Sequence, residues 1–332
     1  MRSSVRLAGA VAALALAAVG IVGCGSRQAI RIDGSSTVYP ITEAVAEEFQ
    51  REQSGTRVTV GISGTGGGFQ RLCRGELDIS DASRPIRESE IKACQSGQVE
   101  YIELPVAYDG LTVVVNPKNS WASAMTVAEL KKLWEPAAEG KVTRWNQIRE
   151  GWPDQEVHLF GAGVDSGTFD YFTEAVVGEE DASRGDFTSS EDDNVLVQGV
   201  AGDQLALGFF GYAYYEENKE RLKPVAIANG SDTAAAVLPS QETVRSGTYA
   251  PLSRPVFIYV NVASLDRPEV GQFVDYYLRR GPGLVSEVGY VPLNDELQRL
   301  VNQRFDARKT GTAFTAEDGG AKKPLEELYA AR

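Results

Sequence analysis

One unit limits what this chain can fold into, because the chain repeats it: a short apolar strand, a corner of glycines and small hydroxyl residues, and the start of a helix. It is clearest at Gly163-Val164-Asp165-Ser166-Gly167-Thr168-Phe169-Asp170-Tyr171-Phe172. Ahead of it, residues 156–160 are short and apolar enough for a buried strand. Behind it, Phe169, Phe172 and Val176 recur at helical spacing and predict a helix to about Val177. Asp165 or Ser166 can cap that helix, and the glycines let backbone come close to whatever lies above. Such a corner aims unbonded N–H groups and hydroxyls at one point, which suits a tetrahedral oxyanion. A single corner would be an ordinary helix cap. The same build recurs at Gly34-Ser35-Ser36-Thr37, after a predicted strand over residues 29–33 and before a helix with Pro40 in its first turn. It recurs again at Ser63-Gly64-Thr65-Gly66-Gly67-Gly68, after a strand over residues 58–62 and before a helix starting near Phe69 and Leu72. That glycine run lacks the Lys-Ser/Thr ending of a nucleotide P-loop, so it counts as a third corner and not as a nucleotide motif. Leu77-Asp78-Ile79-Ser80 then leads into the polar loop Asp81-Ala82-Ser83-Arg84. Pro85 keeps Arg84 extended, so no helix begins before it. Arg84 is the arginine among the loop hydroxyls, with a fork that suits an oxyanion.

Farther along, residues 99–104 and 111–115 are predicted strands on either side of a 105–110 connection. Thr126-Val127-Ala128-Glu129 is a capping box for a helix carrying Leu130, Leu133 and Trp134. Trp145, Ile148 and Trp152 are assigned to packing. Residues 181–193 form an acidic loop before the apolar run 195–200. Strands follow at 207–212, 225–228 and 256–260, and Phe273, Tyr276, Tyr277 and Leu278 mark a late helix. Tyr212, Tyr214 and Tyr215 either line a cleft or pack. Alternating strands and helices give an α/β fold with mainly parallel sheets, and 332 residues are ample for two domains. Beyond Thr310 the composition turns to Gly, Ala, Lys and Glu, which predicts a flexible tail over residues 311–332.

The N-terminus carries an address. Arg2 and Arg6 precede an apolar run from Leu7 to Val22 that is shorter than the roughly 20 residues a spanning helix needs. Residues 1–23 are therefore expected to be an export leader. Ile21-Val22-Gly23-Cys24 resembles a bacterial lipoprotein box, which implies acylation of Cys24 and anchoring in a membrane; a plain secretory cut near Gly25 is the alternative. Loss of Arg2 and Arg6 with the leader takes the formal net charge from −13 to −15. Such a chain repels nucleic acid. A small anion can still be held by amides acting at contact range, where distant carboxylates are screened. Cys73 and Cys94 remain as an even pair in an exported chain, and a disulfide between them is worth about 3 kcal/mol by loop closure. A metal site is not expected, because the chain has one histidine, His158, and no paired-cysteine spacing. His158 lies in a predicted strand interior, which argues against a Ser-His-Asp triad.

Gly34-Ser35-Ser36-Thr37, the Ser63 loop, Asp81-Ala82-Ser83-Arg84 and Asp165-Ser166-Gly167-Thr168 together resemble the phosphate-binding lipoproteins of the Pst ABC transporter, more narrowly their PstS/SphX branch. The likeness runs from about Ile30 to Phe305. It implies a two-lobed periplasmic-binding-protein fold of type II, with two mixed sheets flanked by helices and joined by two crossover hinge strands. Lobe one would be residues 24–107 and 256–310, and lobe two residues 108–255, with crossings near 104–111 and 253–257. The resemblance also implies a non-enzymatic receptor without cofactor, in the periplasm or at the cell surface. It would close on dehydrated inorganic phosphate and deliver it to an inner-membrane ABC permease of the Pst type. Ser36, Thr37, Ser63 and Ser83 would face Ser166, Gly167 and Thr168 across the cleft.

Two departures from the family pattern bear on the site. Some members carry an arginine four residues before the serine of Ser-Gly-Thr, where this chain has Ala162; Arg84 is the expected replacement. Some carry an aspartate at the position of Ser83, accepting a hydrogen bond from protonated phosphate; Asp81 is the nearest carboxylate and Asp165 the second. A buried acceptor rejects sulfate, which has no proton to offer near neutral pH. Other readings are a receptor for another tetrahedral oxyanion, a phosphomonoesterase using Ser166 or Thr168 as nucleophile, and a surface lipoprotein with an adhesive or signalling role.

Overall fold

The computed structural model describes residues 29–164, 166–190, 192–314 and 324–331. The expected leader, Cys24 and Asp165 lie outside the described residues. Among the described residues eleven strands are formed: β1 (Ile30–Gly34), β2 (Val58–Val60), β3 (Ile79–Ala82), β4 (Tyr101–Val115), β5 (Ala124–Thr126), β6 (His158–Ala162), β7 (Thr188–Ser190), β8 (Ala206–Gly211), β9 (Lys223–Pro224), β10 (Ala226–Ala228) and β11 (Ser253–Asn261). Nine of them make one mixed sheet in the order β2-β1-β3-β11-β4-β8-β6-β7, with β9 also on β4; β5 and β10 form a separate parallel pair. The expected two sheets are thus hydrogen-bonded into one, and the reason is β4. Its 15 residues extend roughly 50 Å. Its first part pairs with β11 as far as Gly110, and from Leu111 it pairs with β8.

The sequence reading broke β4 into two strands around a connection, misled by Pro105, Asp109 and Gly110. Every residue of β4 is buried, so it shows no alternation to detect. Pro105 is tolerated because the register with β11 shifts between Val256 and Phe257, and a bulge does not need its missing N–H.

On one face of β1 and β3, Ile30, Ile32 and Ile79 pack with Ile41, Val45 and Phe49 of the helix Tyr39–Glu52. Phe49 meets Phe273 of the helix Pro268–Glu287 edge-on at 5.3 Å. On the other face, Phe69 and Leu72 of the helix Gly64–Cys73 pack against Phe257 and Tyr259 of β11. Cys73 and Cys94 are joined by the expected disulfide. Past the crossover, Trp134 ends the helix Val127–Trp134, whose Thr126–Glu129 capping box is formed. Its ring packs edge-on to Phe172, Phe187 and Phe209 at 5.0–5.4 Å. Trp145 packs edge-on to Trp121 and Trp152, a core role as expected. The apolar run 195–200 belongs to a helix, Asp193–Gly202, capped by Asp192. Among the described residues no helix is long and apolar enough to cross a membrane.

The expectation of a flexible tail from residue 311 needs correction. Ala313 is buried, and Leu325–Ala331 is a helix that buries Leu328 and Tyr329. What holds this segment is Glu103 of β4, fully buried, whose carboxylate accepts from the Tyr259 and Tyr329 hydroxyls, the Thr312 hydroxyl and the Ala313 amide at 2.6–2.9 Å. A buried carboxylate with four donors is well satisfied. Composition could not show this, because the anchor lies more than two hundred residues away in the chain.

Candidate functional site: an interior cleft at the crossover

Strand directions alone bring the hydroxyl corners together. β1 and β2 run parallel, as do β1 and β3, while β3 is antiparallel to β11 and β11 to β4. So β1, β2 and β3 point the same way as β4, towards the second half of the sheet. In that half β8 is antiparallel to β4 and β6 is parallel to β8. β6 therefore points back. The carboxyl ends of β1, β2 and β3 meet that of β6 where β4 changes partner, the kind of switch point at which α/β sheets hold ligands.

A cavity of about 490 Å³ lies there. Of the expected site residues, Ser36, Thr37, Ser63, Ser83 and Arg84 line it. The corners are tied to each other through backbone: the Ser35 amide donates to the Asp81 carbonyl at 3.0 Å and the Ser63 amide to the Gly34 carbonyl at 3.1 Å. Gly34 has φ +143°, and a Cβ there would lie 2.1 Å from the Asp81 carbonyl oxygen, so only glycine fits. The glycine run after Ser63 is helical from Gly64, earlier than expected. Gly68 explains it: a Cβ would sit 2.5 Å from Ser80 Oγ and 2.8 Å from Gly34 Cα, so the helix lies directly on the strand ends.

From the other side come Ser166, Gly167 and Thr168. Ser166 caps the helix Gly167–Phe172 by accepting from the Thr168 amide at 3.2 Å, and a π-helical turn, Thr173–Val177, carries the helix to left-handed Gly178. Gly167 abuts the Ser36–Thr37 corner, and none of the three is in the cavity wall. A Cβ on Gly167 would lie 2.8 Å from both the N and Cα of Thr37. The Thr37 hydroxyl is 3.5 Å from the Gly167 carbonyl. Ser36 Oγ donates across the same gap to Asp170 Oδ2 at 2.9 Å.

Charge is placed differently from the expectation. Arg84 lines the cavity, but its fork is spent on Glu90, with bonds of 2.8 and 2.9 Å to the two carboxylate oxygens. Asp81 is wholly buried, faces Thr42 and Tyr277, and does not line the cavity. Burial pushes its carboxyl up to about 8, with Thr42 pulling the other way and Asp33 adding to the push. The wall also holds charged residues that sequence reasoning missed: Asp170 and Arg254, with Arg87, Glu174, Glu180 and Asp181. Asp170 is pushed up to about 6, chiefly by burial and also by Asp181 and Glu180, against the pull of the Ser36 hydroxyl. It belongs to the Asp-Ser-Gly-Thr corner, one turn into the helix, and its place amid Phe169, Tyr171 and Phe172 was the available signal. Arg254 lies on β11 and touches both sides of the cleft. Nothing in Ser253-Arg254-Pro255 foretells that.

His158 opens β6 at the end remote from the cleft, roughly 13 Å of strand before Ala162. It is bonded to Asp203, which raises its pKa above the ordinary imidazole value, and it has no part in the site.

A mixed sheet crossed by β4 and β11, with glycine–hydroxyl corners facing one cavity, is the frame of a small-ligand binding protein, and the description "PBP superfamily domain" fits residues 23–280. Relatives narrow the class. The chain is 50% identical to Protein SphX of Synechocystis sp. over 94% of its own length and 93% of that protein's. It is 35% identical to the phosphate-binding protein PstS of Staphylococcus saprophyticus over 80% of each. The crystal structure of a possible phosphate-binding protein from Planctomyces limnophilus superposes with a TM-score of 0.81 at 48% identity, covering 85% of this chain and 99% of that one. The chain belongs to the SphX/PstS family.

Proposed function

We propose that this protein binds inorganic phosphate in the cleft and delivers it to an ABC-type importer, with no turnover of its own. The observation that carries the reading is the meeting of three hydroxyl corners at one cavity, with the fourth abutting them through Gly167, in a chain of this family. Ser36, Thr37, Ser63 and Ser83 supply hydroxyls and amides from one side, and Ser166, Gly167 and Thr168 from the other. Residues 24–107 with 256–310 form one lobe and residues 108–255 the second. They hinge where β4 and β11 cross. The leader directs export, and acylated Cys24 holds the receptor at the membrane beside its permease.

Asp170 is the acceptor for the proton of bound phosphate, in place of Asp81 and Asp165. It lines the cavity, and its raised pKa means that it shares a proton readily. Sulfate cannot supply that proton, so at neutral pH it meets an ionised carboxylate and is rejected.

Calorimetry tests this. Phosphate binds in the micromolar range or tighter and sulfate far more weakly. Affinity falls as pH rises and both Asp170 and phosphate lose their protons; discrimination against sulfate narrows below about pH 6, where Asp170 holds a proton of its own. Asp170→Asn lets sulfate compete. Equal affinity for the two anions in the wild type would move the protein to another oxyanion. Hydrolysis of a chromogenic phosphate ester that vanishes in Ser166→Ala would make it an esterase.

A further inference from the structure

Arg254 stands where β4 changes partner, at the edge of the second lobe proposed above. It lies on β11 directly opposite Asp109 of β4, one residue before β4 passes from β11 to β8. Its guanidinium carbon sits 3.5 Å from the centroid of the Tyr171 ring, a face contact that fixes the guanidinium plane and leaves its N–H edge for acceptors. Nη2 donates to Thr37 Oγ1 at 3.0 Å. The two contacts to carboxylates, Nε to Asp109 and Nη1 to Glu174, are both 3.4 Å. Close charge-assisted bonds run about 2.7–2.9 Å, so neither carboxylate saturates the fork. The side chain is only 14% exposed and lines the cavity. Of the other two arginines there, Arg84 is held by Glu90 and Arg87 is exposed.

We infer that Arg254 is the cation that takes the bound anion, reaching it from the hinge and bridging Thr37 on one side to Tyr171 on the other. The inference rests on the phosphate reading above and adds a binding residue to it. A cation at the hinge faces the anion whether the sides are apart or together. It therefore serves capture as well as closure, and most of its worth comes from being shielded from water.

A structural alternative is that Arg254 serves only to neutralise Asp109, which is buried and whose pKa is raised by burial and lowered by Arg254. Three full-chain variants separate the two roles by titration calorimetry with inorganic phosphate and by thermal unfolding: Arg254→Gln, Asp109→Asn, and both together. Arg254→Gln is expected to lose at least about 30-fold in phosphate affinity, the cost of removing one partner of a shielded charge pair, and to lower the unfolding midpoint. Asp109→Asn keeps phosphate affinity. The double variant recovers the unfolding midpoint but not the affinity. A double variant that binds phosphate within about twofold of the wild type would overturn the inference alone, because that is about 0.4 kcal/mol, ordinary for a remote change. Wild type that takes up no phosphate would overturn both the inference and the phosphate reading.

Discussion

Asp81 is the residue where the site looks fullest in sequence and is not. It lies in β3 just before the loop that bears Ser83, yet its carboxyl is turned under the helix Tyr39–Glu52 and stays protonated up to about pH 8. A carboxyl whose folded pKa is raised binds its proton more tightly in the folded than in the unfolded state. Its contribution is full below the ordinary carboxylate range near 4 and is lost as pH rises from there through about 8. Asp81→Asn should therefore flatten the fall of stability between pH 5 and 8 and raise stability at pH 8 by about 1–3 kcal/mol. Denaturant titrations of both proteins across that range measure it. Equal slopes would show that Asp81 ionises freely. Thr168→Val and Ser36→Ala, by contrast, should weaken phosphate binding by about 1–3 kcal/mol each, the loss of one charge-assisted bond.

Two elements depend on contacts distant in sequence. The helix Gly64–Cys73 rests on the ends of β1 and β3 through Gly68, and the 2.8 Å approach to Gly34 Cα leaves no room for a methyl group. Gly68→Ala must lift the helix, costing about 1–3 kcal/mol by overpacking despite alanine's better helix propensity. Ser63 and Thr65 move with it, so phosphate affinity falls as well. The C-terminal helix Leu325–Ala331 behaves differently. Tyr329→Phe removes one of four donors to Glu103 and should cost about 1–2 kcal/mol of stability with phosphate affinity unchanged, since the contact lies outside the cavity wall. Chemical denaturation paired with calorimetry separates the two cases.

For the whole molecule, the closure proposed above would be limited by Gly167. Its missing side chain is what lets the two sides of the cleft touch, because the atoms it would strike belong to the Thr37 backbone and cannot rotate away. Gly167→Ala should keep or slightly raise stability, being at the start of a helix, while weakening phosphate binding by about 1–3 kcal/mol and leaving a more open form on average. Small-angle scattering with and without phosphate reads the opening. Scattering and affinity both like the wild type would mean that closure does not bring these backbones together.

Local order was legible from residues because its causes are local. Alternating hydrophobic runs, the Thr126–Glu129 capping box, Ser166 as a cap, and glycines at the strand ends all act within a few residues, and the hydroxyl corners stood out because they repeat. The charges of the cleft were not legible. Which aspartate faces the cavity depends on the face that β3 and the Gly167–Phe172 helix present. Which arginine is left with spare donors depends on whether Glu90 or Asp109 has it in reach. The same holds for β4, whose fifteen buried residues became one strand only because β11 and β8 take up its two parts in turn. Backbone propensity is written in neighbouring residues, whereas desolvation and charge pairing are set by what the folded chain brings alongside.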